Sequence, residues 1–473
     1  MPPADNILRD TRIDLLERFV VWHVGTLIVL MSWCFGGQVW WARDVLLLWG
    51  SLGLILFFVA VGVGRRWGAA LRLLWPLLLY DALVIASCFN PGFESRLVGG
   101  EPVYLVREAI AWLPSSARPE LSARELWQFN GIVVSCANLA LFLTRRRRVR
   151  GLLTAVAVNA VLLAVFGTMQ KLAGAKALIF GLFPVKQTYF FSTFVYHNHW
   201  SAFTLLNLAA CLGLLFYHER RGGHRDVWHS PLLMGGLVCL LLALTVPLSG
   251  SRSGTVLIAL LLAWAFGHFL LRVIRRRRER HESAALPVAG LVLAGALGLG
   301  AAGWLASDVI RHRAVITRQQ LADIQASPST ASRLVLYADT WRMAMDKPWF
   351  GWGLECYGDV FRIYNSQRSV EGWQPYYAEA HNDWLQSLAE TGFVGTSLLV
   401  ALGLIPLLGA PWRHSSSVIP RYLVGAVLLV LLYALVEFPL ANPSVMIGVW
   451  LSLYAAARYV ALDAARRTSA VVP

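Results

Sequence analysis

Charge is scarce in this chain: Asp, Glu, Lys and Arg make up 15% of its 473 residues, where a soluble domain carries about 25%. That scarcity excludes an ordinary water-soluble fold. Disorder is excluded as well, because 57% of the residues are hydrophobic and mean hydropathy is +0.56. Cysteine is sparse too, and five of the six (Cys34, Cys88, Cys136, Cys211, Cys239) lie in or beside apolar runs. Only Cys356 sits in polar sequence, so neither a disulfide framework nor a cysteine metal site is expected. The short alternating segments of a membrane barrel are missing, and no repeat of about 20–50 residues appears.

What the chain does have is a series of apolar runs about twenty residues long, the length that crosses a bilayer as helix. In lipid, helices satisfy every backbone group internally, so these runs predict an all-α polytopic membrane protein. We place spans near 19–38, 45–64, 71–89, 126–143, 151–170, 198–217, 231–248, 253–272, 286–306, 392–410, 421–438 and 443–460, about twelve in all. The first is expected to be a retained span rather than a cleaved signal, since no small-residue cleavage site follows it.

The net charge of +15 raises the question of nucleic acid. Its distribution answers against that reading. The arginines cluster in short connections: Arg65 and Arg66, Arg145 to Arg148 with Arg150, Arg220 with Arg221 and Arg225, Arg275 to Arg278 with Arg280. These are alternate connections, the pattern that holds loops in the cytoplasm, and both termini fall on the same side. Two long segments, about 90–125 and 307–391, then lie outside. The chain accordingly divides into residues 1–306 with nine spans and the shorter loop, 307–391 as a large outer loop, and 392–473 with three spans and a cytoplasmic tail. The large loop holds eight Arg/Lys and ten Asp/Glu together with Trp341, Trp349, Trp352, Trp373 and Trp384, so it is expected to fold over the outer mouth of the bundle.

Within that loop, Ser332 reads as the cap of a helix from Arg333 to about Asp346, ended by Pro348. Arg333 and Arg342, nine residues apart, fall on opposite edges of it, so only one faces a single site. A second helix begins at Asn382 or Asp383 and stops at Gly392. That places His381 at the positive end of a helix dipole, where a neutral imidazole, the form a general base needs, is favoured. Capping alone is the bland alternative. Arg252, in the turn Ser249-Gly250-Ser251-Arg252-Ser253-Gly254, is a cation on the outer side with open backbone donors around it. It suits phosphate oxygens, although it also suits snorkelling to lipid headgroups. His197-Asn198-His199 opens the sixth span, with Tyr196 and Trp200 beside it to stack on sugars. No acidic or cysteine partner sits nearby, so a metal is not expected. Asp81 and Glu437 are intramembrane acids, which are costly in lipid and hence candidates for function or for bonding between helices.

In order along the chain, FVYHNHWSA (194–202), LSGSRSG (248–254), RLVLYADTWRMAMDKPWFGWG (333–353) and HNDWLQSLAETGFVG (381–395) resemble the O-antigen ligase family of integral membrane glycosyltransferases, which includes ligases, polymerases and protein O-oligosaccharyltransferases. The family's Pro-x-x-Gly-x-Gly and His-Asn-x-x-Leu-x-x-x-x-Glu-x-Gly elements are present as Pro348, Gly351, Gly353, and His381, Asn382, Glu390, Gly392. The resemblance implies transfer of a glycan from undecaprenyl diphosphate to an acceptor hydroxyl, with lipid A-core or a growing glycan as acceptor, at the periplasmic face of a bacterial inner membrane. His381 would act as base, Arg252 with Arg333 or Arg342 would hold the diphosphate, and Asn198, His199, Asn382 and Glu390 would line the groove. Membrane lipids surround it; neither cofactor nor metal is expected. The competing reading is a secondary transporter or exporter of envelope glycans, which shares the helix count but usually shows repeat halves and polar midplane helices.

Overall fold

The computed structural model describes residues 4–64, 66–99, 101–185, 189–219, 231–290, 293, 329–367 and 375–471. In chain order its elements are α1 (Ala4–Trp33), α2 (Trp40–Gly64), α3 (Trp67–Cys88), a hairpin of β1 (Phe93–Val98) and β2 (Glu101–Val106), α4 (Pro119–Phe142), α5 (Arg146–Leu172), α6 (His197–Glu219), α7 (Pro231–Ser249), α8 (Arg252–Glu279), α9 (Ser329–Asp346), α10 (Tyr357–Tyr364), α11 (Asp383–Leu408), α12 (Ile419–Tyr433) and α13 (Pro443–Val471). Among the described residues, α1, α2, α3, α5, α6, α7, α8, α11 and α13 are long and apolar enough to cross a membrane. The protein is therefore an all-α, multi-pass membrane protein. The expected ninth span, 286–306, lies mostly outside the described residues.

Helix α6 runs through the middle of the bundle, with 94% of its apolar window buried. Close approach is set by small residues, as expected where lipid offers no hydrophobic drive between helices. A Cβ on Gly50 of α2 would stand 2.8 Å from the Cα of Gly131 in α4, so those backbones touch. Among the described residues, the arginine-rich connections lie at one end of the bundle. There Asp14 of α1 takes Arg145 at 2.7 Å and Arg148 at 2.8 Å, Arg146 pairs with Asp463 of α13, and Arg272 of α8 reaches Glu219 of α6 at 2.8 Å.

The opposite end carries a cap. The hairpin, α9 and α10 share a small apolar core of Phe93, Ala117, Leu336, Met343, Tyr357 and Phe361. Two stretches that stood out in the sequence dock here backbone to backbone. Trp352 N donates to Ala389 O at 3.0 Å, Gly353 N to Glu390 O at 2.8 Å, Phe393 N to Pro348 O at 2.8 Å and Val394 N to Trp349 O at 3.1 Å. The glycines permit it: Gly392 has φ +65, and a Cβ there would sit 2.3 Å from the Trp349 carbonyl carbon. This residue breaks α11 into a cap segment and a spanning segment.

Three expectations are corrected. The hairpin at 93–106 was unforeseen. Helix α9 takes in Ser329 to Ser332 rather than beginning after Ser332; the apolar pattern alone does not fix where a helix begins. The span expected at 421–438 ends at Tyr433, and the chain continues as an irregular segment to Asn442 that builds the site.

Candidate functional site

The carbonyls at and beyond the end of α12 lack helical partners. Side chains and backbone from three other helices supply them. Trp384 Nε1 donates to Leu431 O at 2.9 Å, Asp383 N to Ala434 O at 2.9 Å, Asn382 Nδ2 to Leu435 O at 3.0 Å and Arg333 Nη1 to Val436 O at 3.2 Å. His199 Nε2 donates to Phe438 O at 3.1 Å, and Leu440 N donates to Asp383 Oδ2 at 2.9 Å. Segment 434–442 thereby fixes α6, α9 and α11 against one another.

Glu437 sits at the centre of this segment and is 4% exposed. Its Oε1 accepts from Arg333 Nη2 at 3.1 Å, its Oε2 accepts from the Tyr196 hydroxyl at 3.1 Å, and Oε2 lies 3.7 Å from His381 Nδ1. The last distance exceeds hydrogen-bond reach and is an electrostatic contact. Burial pushes the Glu437 carboxyl up, but His381 and Arg333 together outweigh it and leave the group below its ordinary value. Burial opposes the charge on Arg333, and the Glu437 carboxylate more than offsets that, raising the guanidinium. The Tyr196 phenol is pushed up by burial and by the same carboxylate. Glu437 is thus an ionised acid in contact with a cation, a phenol and an imidazole.

His381 holds a left-handed backbone, φ +52, a conformation costly for a non-glycine residue and kept only where its surroundings enforce it. The enforcement is visible. Tyr337 donates to its carbonyl at 2.9 Å, Asn382 caps α11 by accepting from Leu385 N at 3.0 Å, and the His381 ring stands edge-on to Phe438 at 4.7 Å. The side chain stays 27% exposed, so it is reachable by substrate.

A second line of contacts runs from Glu437 to the turn before α8. Asn198 Nδ2 donates to Tyr196 Oη at 2.9 Å, Ser251 Oγ donates to Asn198 Oδ1 at 2.6 Å, and Ser251 Oγ meets the Tyr433 hydroxyl at 3.2 Å while accepting from Gly254 N at 3.2 Å as the α8 cap. Arg252, exposed at the first position of α8, follows Ser251 directly.

Of the residues singled out in the sequence, His381, Arg333, Asn382 and His199 converge on segment 434–442, and Asn198 reaches it through the Tyr196 hydroxyl. Arg342 does not; it pairs with Asp339 on its own helix and is 61% exposed. Asn198 and His199 are buried, so they support Tyr196 and Phe438 rather than face a glycan. Trp200 is fully buried and donates to Thr245 at 3.1 Å, which removes it as a sugar platform. Glu390 is buried away from the histidine, accepting from Tyr357 N at 3.2 Å and Gln386 Nε2 at 3.3 Å. Glu437 was read in the sequence only as an intramembrane acid with a role in function or in bonding between helices, and was not joined to the site; its signal was a carboxylate in an otherwise apolar stretch.

Fold and site together define a polytopic helical membrane protein with a histidine, carboxylate and arginine cluster at one end of its bundle. Within that class, residues 237–400 match the model of the O-antigen ligase family. The match takes in Arg252, Arg333, Arg342, His381, Asn382 and Glu390 and stops short of Glu437. The family is one of membrane glycosyltransferases of ligase or polymerase type, acting at a general level on lipid-linked glycans and acceptors. No curated protein matches the chain.

Proposed function

We propose that the protein transfers a glycan from undecaprenyl diphosphate to an acceptor hydroxyl, with inversion at the anomeric carbon, at the periplasmic face of the bacterial inner membrane. The observation that carries this reading is the contact of a half-buried, solvent-accessible histidine with a buried carboxylate that also holds an arginine. The acceptor oxygen attacks C1 of the donor sugar and loses its proton to His381 Nε2, the nitrogen turned away from Glu437. The C1–O bond to the diphosphate breaks, and the undecaprenyl diphosphate leaves with the electron pair. Glu437 stabilises the imidazolium formed, the role an acid beside a histidine base commonly serves. Charge growing on the diphosphate is met by guanidinium groups already in place, Arg333 and Arg252, which lowers the barrier without reorganisation. Arginines supply the positive charge that a divalent ion supplies elsewhere, so the step is written without metal. With both termini and the arginine clusters in the cytoplasm, the cap end faces the periplasm.

The test is glycan transfer by membranes carrying His381→Ala, Arg252→Ala or Arg333→Ala at matched protein level, with the lipid-linked donor followed in parallel. Donor accumulation with loss of product supports the reading, and the wild-type product distinguishes ligation from polymerisation. Full transfer by all three variants refutes it.

A further inference from the structure

Ser251, the cap of α8, has every hydrogen-bonding position of its hydroxyl in use. The oxygen accepts from Gly254 N at 3.2 Å and its one proton goes to Asn198 Oδ1 at 2.6 Å, so the Tyr433 hydroxyl at 3.2 Å meets it as donor. Asn198 is equally constrained. Its Nδ2 gives a proton to Tyr196 Oη at 2.9 Å, and the Tyr196 proton goes on to Glu437 Oε2 at 3.1 Å. An ionised carboxylate only accepts, so the direction of the whole path, from the Gly254 amide to Glu437, is fixed. The residue at its middle must accept from a hydroxyl on one side and donate to a phenol on the other, and an amide does both.

Asn198, Ser251 and Tyr433 are buried, so this path holds the site together from behind and meets no substrate. It is braced by close packing: a Cβ on Gly254 would stand 2.4 Å from the Cβ of Ser201, which lies three residues after Asn198 on the same face of α6. Arg252 is the first residue of α8. Its charge does not stabilise that placement, because a cation at a helix N-terminus opposes the dipole; the capping contacts do. We propose that Asn198 is a positioning residue that fixes the start of α8, and with it Arg252, relative to the cluster of Arg333, Glu437 and His381. The inference rests on the transfer reading above, in which Arg252 and Arg333 hold one diphosphate between them. Two guanidinium groups serve one diphosphate only when their separation is preset, and a misplacement of about 1 Å can cost roughly 10²-fold in rate. Arg252 would grip the donor in the ground state as well as in the transition state, so loosening it weakens donor binding first.

The test is initial-rate kinetics of the full-length protein in detergent, with the undecaprenyl-diphosphate-linked donor varied at saturating acceptor. Asn198→Ala should raise the apparent KM for donor roughly tenfold and lower kcat by less. Ser251→Ala breaks the same link from the other end, should do likewise, and is the variant to use should Asn198→Ala fail to accumulate. In the Arg252→Ala background there is no guanidinium left to misplace, so Asn198→Ala should there cost less than about twofold in kcat/KM; a merely structural defect would cost the same factor in both backgrounds. An unchanged donor KM in Asn198→Ala and Ser251→Ala, or an equal loss with and without Arg252, overturns the proposal. Loss of transfer in Arg252→Ala beside wild-type kinetics in Asn198→Ala removes this inference alone. Full transfer by Arg252→Ala removes the role of Arg252 and this inference with it.

Discussion

His381 Nδ1 stands 3.7 Å from Glu437 Oε2 across 56 residues of sequence, and the same carboxylate holds Arg333 at 3.1 Å. One buried acid therefore links the candidate base to a candidate diphosphate ligand. His381→Ala and His381→Gln should both lower transfer by roughly 10²–10⁴, the usual contribution of a positioned acid–base group. Protein level and membrane insertion should be unchanged, because the ring stands edge-on to Phe438, its Nδ1 makes no hydrogen bond and the side chain remains solvent-accessible. The check is transfer rate normalised to protein in isolated membranes.

Arg333 and Arg342 separate the electrostatic from the incidental. Arg333→Ala removes the Glu437 partner and the donor to Val436 O, and transfer should fall by roughly 10²-fold or more, equivalent to about 3 kcal/mol of barrier. Arg333→Lys should recover only part of it, since an ammonium cannot give parallel donors to carboxylate and carbonyl. Arg342, exposed and paired within its own helix, should tolerate alanine with less than about a threefold change, the weight of an ordinary surface pair.

Glu437→Gln keeps the shape and removes the charge. The carboxyl of Glu437 is held below its usual 4.5 in the folded protein. Its contribution to stability is therefore present above that pH and is lost as pH falls through the lower folded value. Wild type should melt a few degrees above Glu437→Gln at pH 7, and the two curves should converge in acid. Transfer by the variant should drop at least about tenfold, with a smaller loss for Tyr196→Phe, which removes one hydrogen bond and no charge.

The membrane architecture was legible because a bilayer imposes a length on apolar runs, and the arginine connections sorted the two ends. His381, Asn382 and Gly392 were legible because capping chemistry and a stop signal lie within a dozen residues. The place of Glu437 in the site was not, since it depends on Tyr196, Arg333 and His381 arriving from three separate parts of the chain. The irregular segment after Tyr433 hid inside a run that was apolar enough to read as membrane. Trp200 misled in the opposite way: an aromatic at the mouth of a span looks like a stacking platform, yet it is packed against Phe191 and Phe203 in the core. The hairpin did have a signal, Gly99 and Gly100 between two β-prone stretches, and Gly99 indeed takes φ +61. His381's own strain could not be read at all, because a positive φ at histidine is forced by tertiary contacts.

Gly392 in the cap should be structural. Gly392→Ala places a Cβ 2.3 Å from the Trp349 carbonyl carbon at φ +65, a collision with backbone that no rotamer relieves. Stability should fall by on the order of 3–5 kcal/mol, the range of the severe single substitutions, seen as loss of folded protein in the membrane. Gly236→Ala, which meets nothing within 4 Å, should leave the level unchanged and serves as the control.

Glu379 gives the cap a pH dependence opposite in sign to that of Glu437. Burial, then the neighbouring Glu355, pushes its carboxyl from 4.5 up to about 8, while the unfolded chain titrates near the ordinary value. Between those two values the folded protein keeps a proton that the unfolded chain has released, so stability falls as pH rises from about 5 to 8. Glu379→Gln is permanently neutral and should flatten that decline, melting at or above wild type at pH 8 and close to it at pH 5. Thermal melts of the full-length protein in detergent across this range decide it: parallel curves for the two proteins would show that Glu379 is ionised at neutral pH.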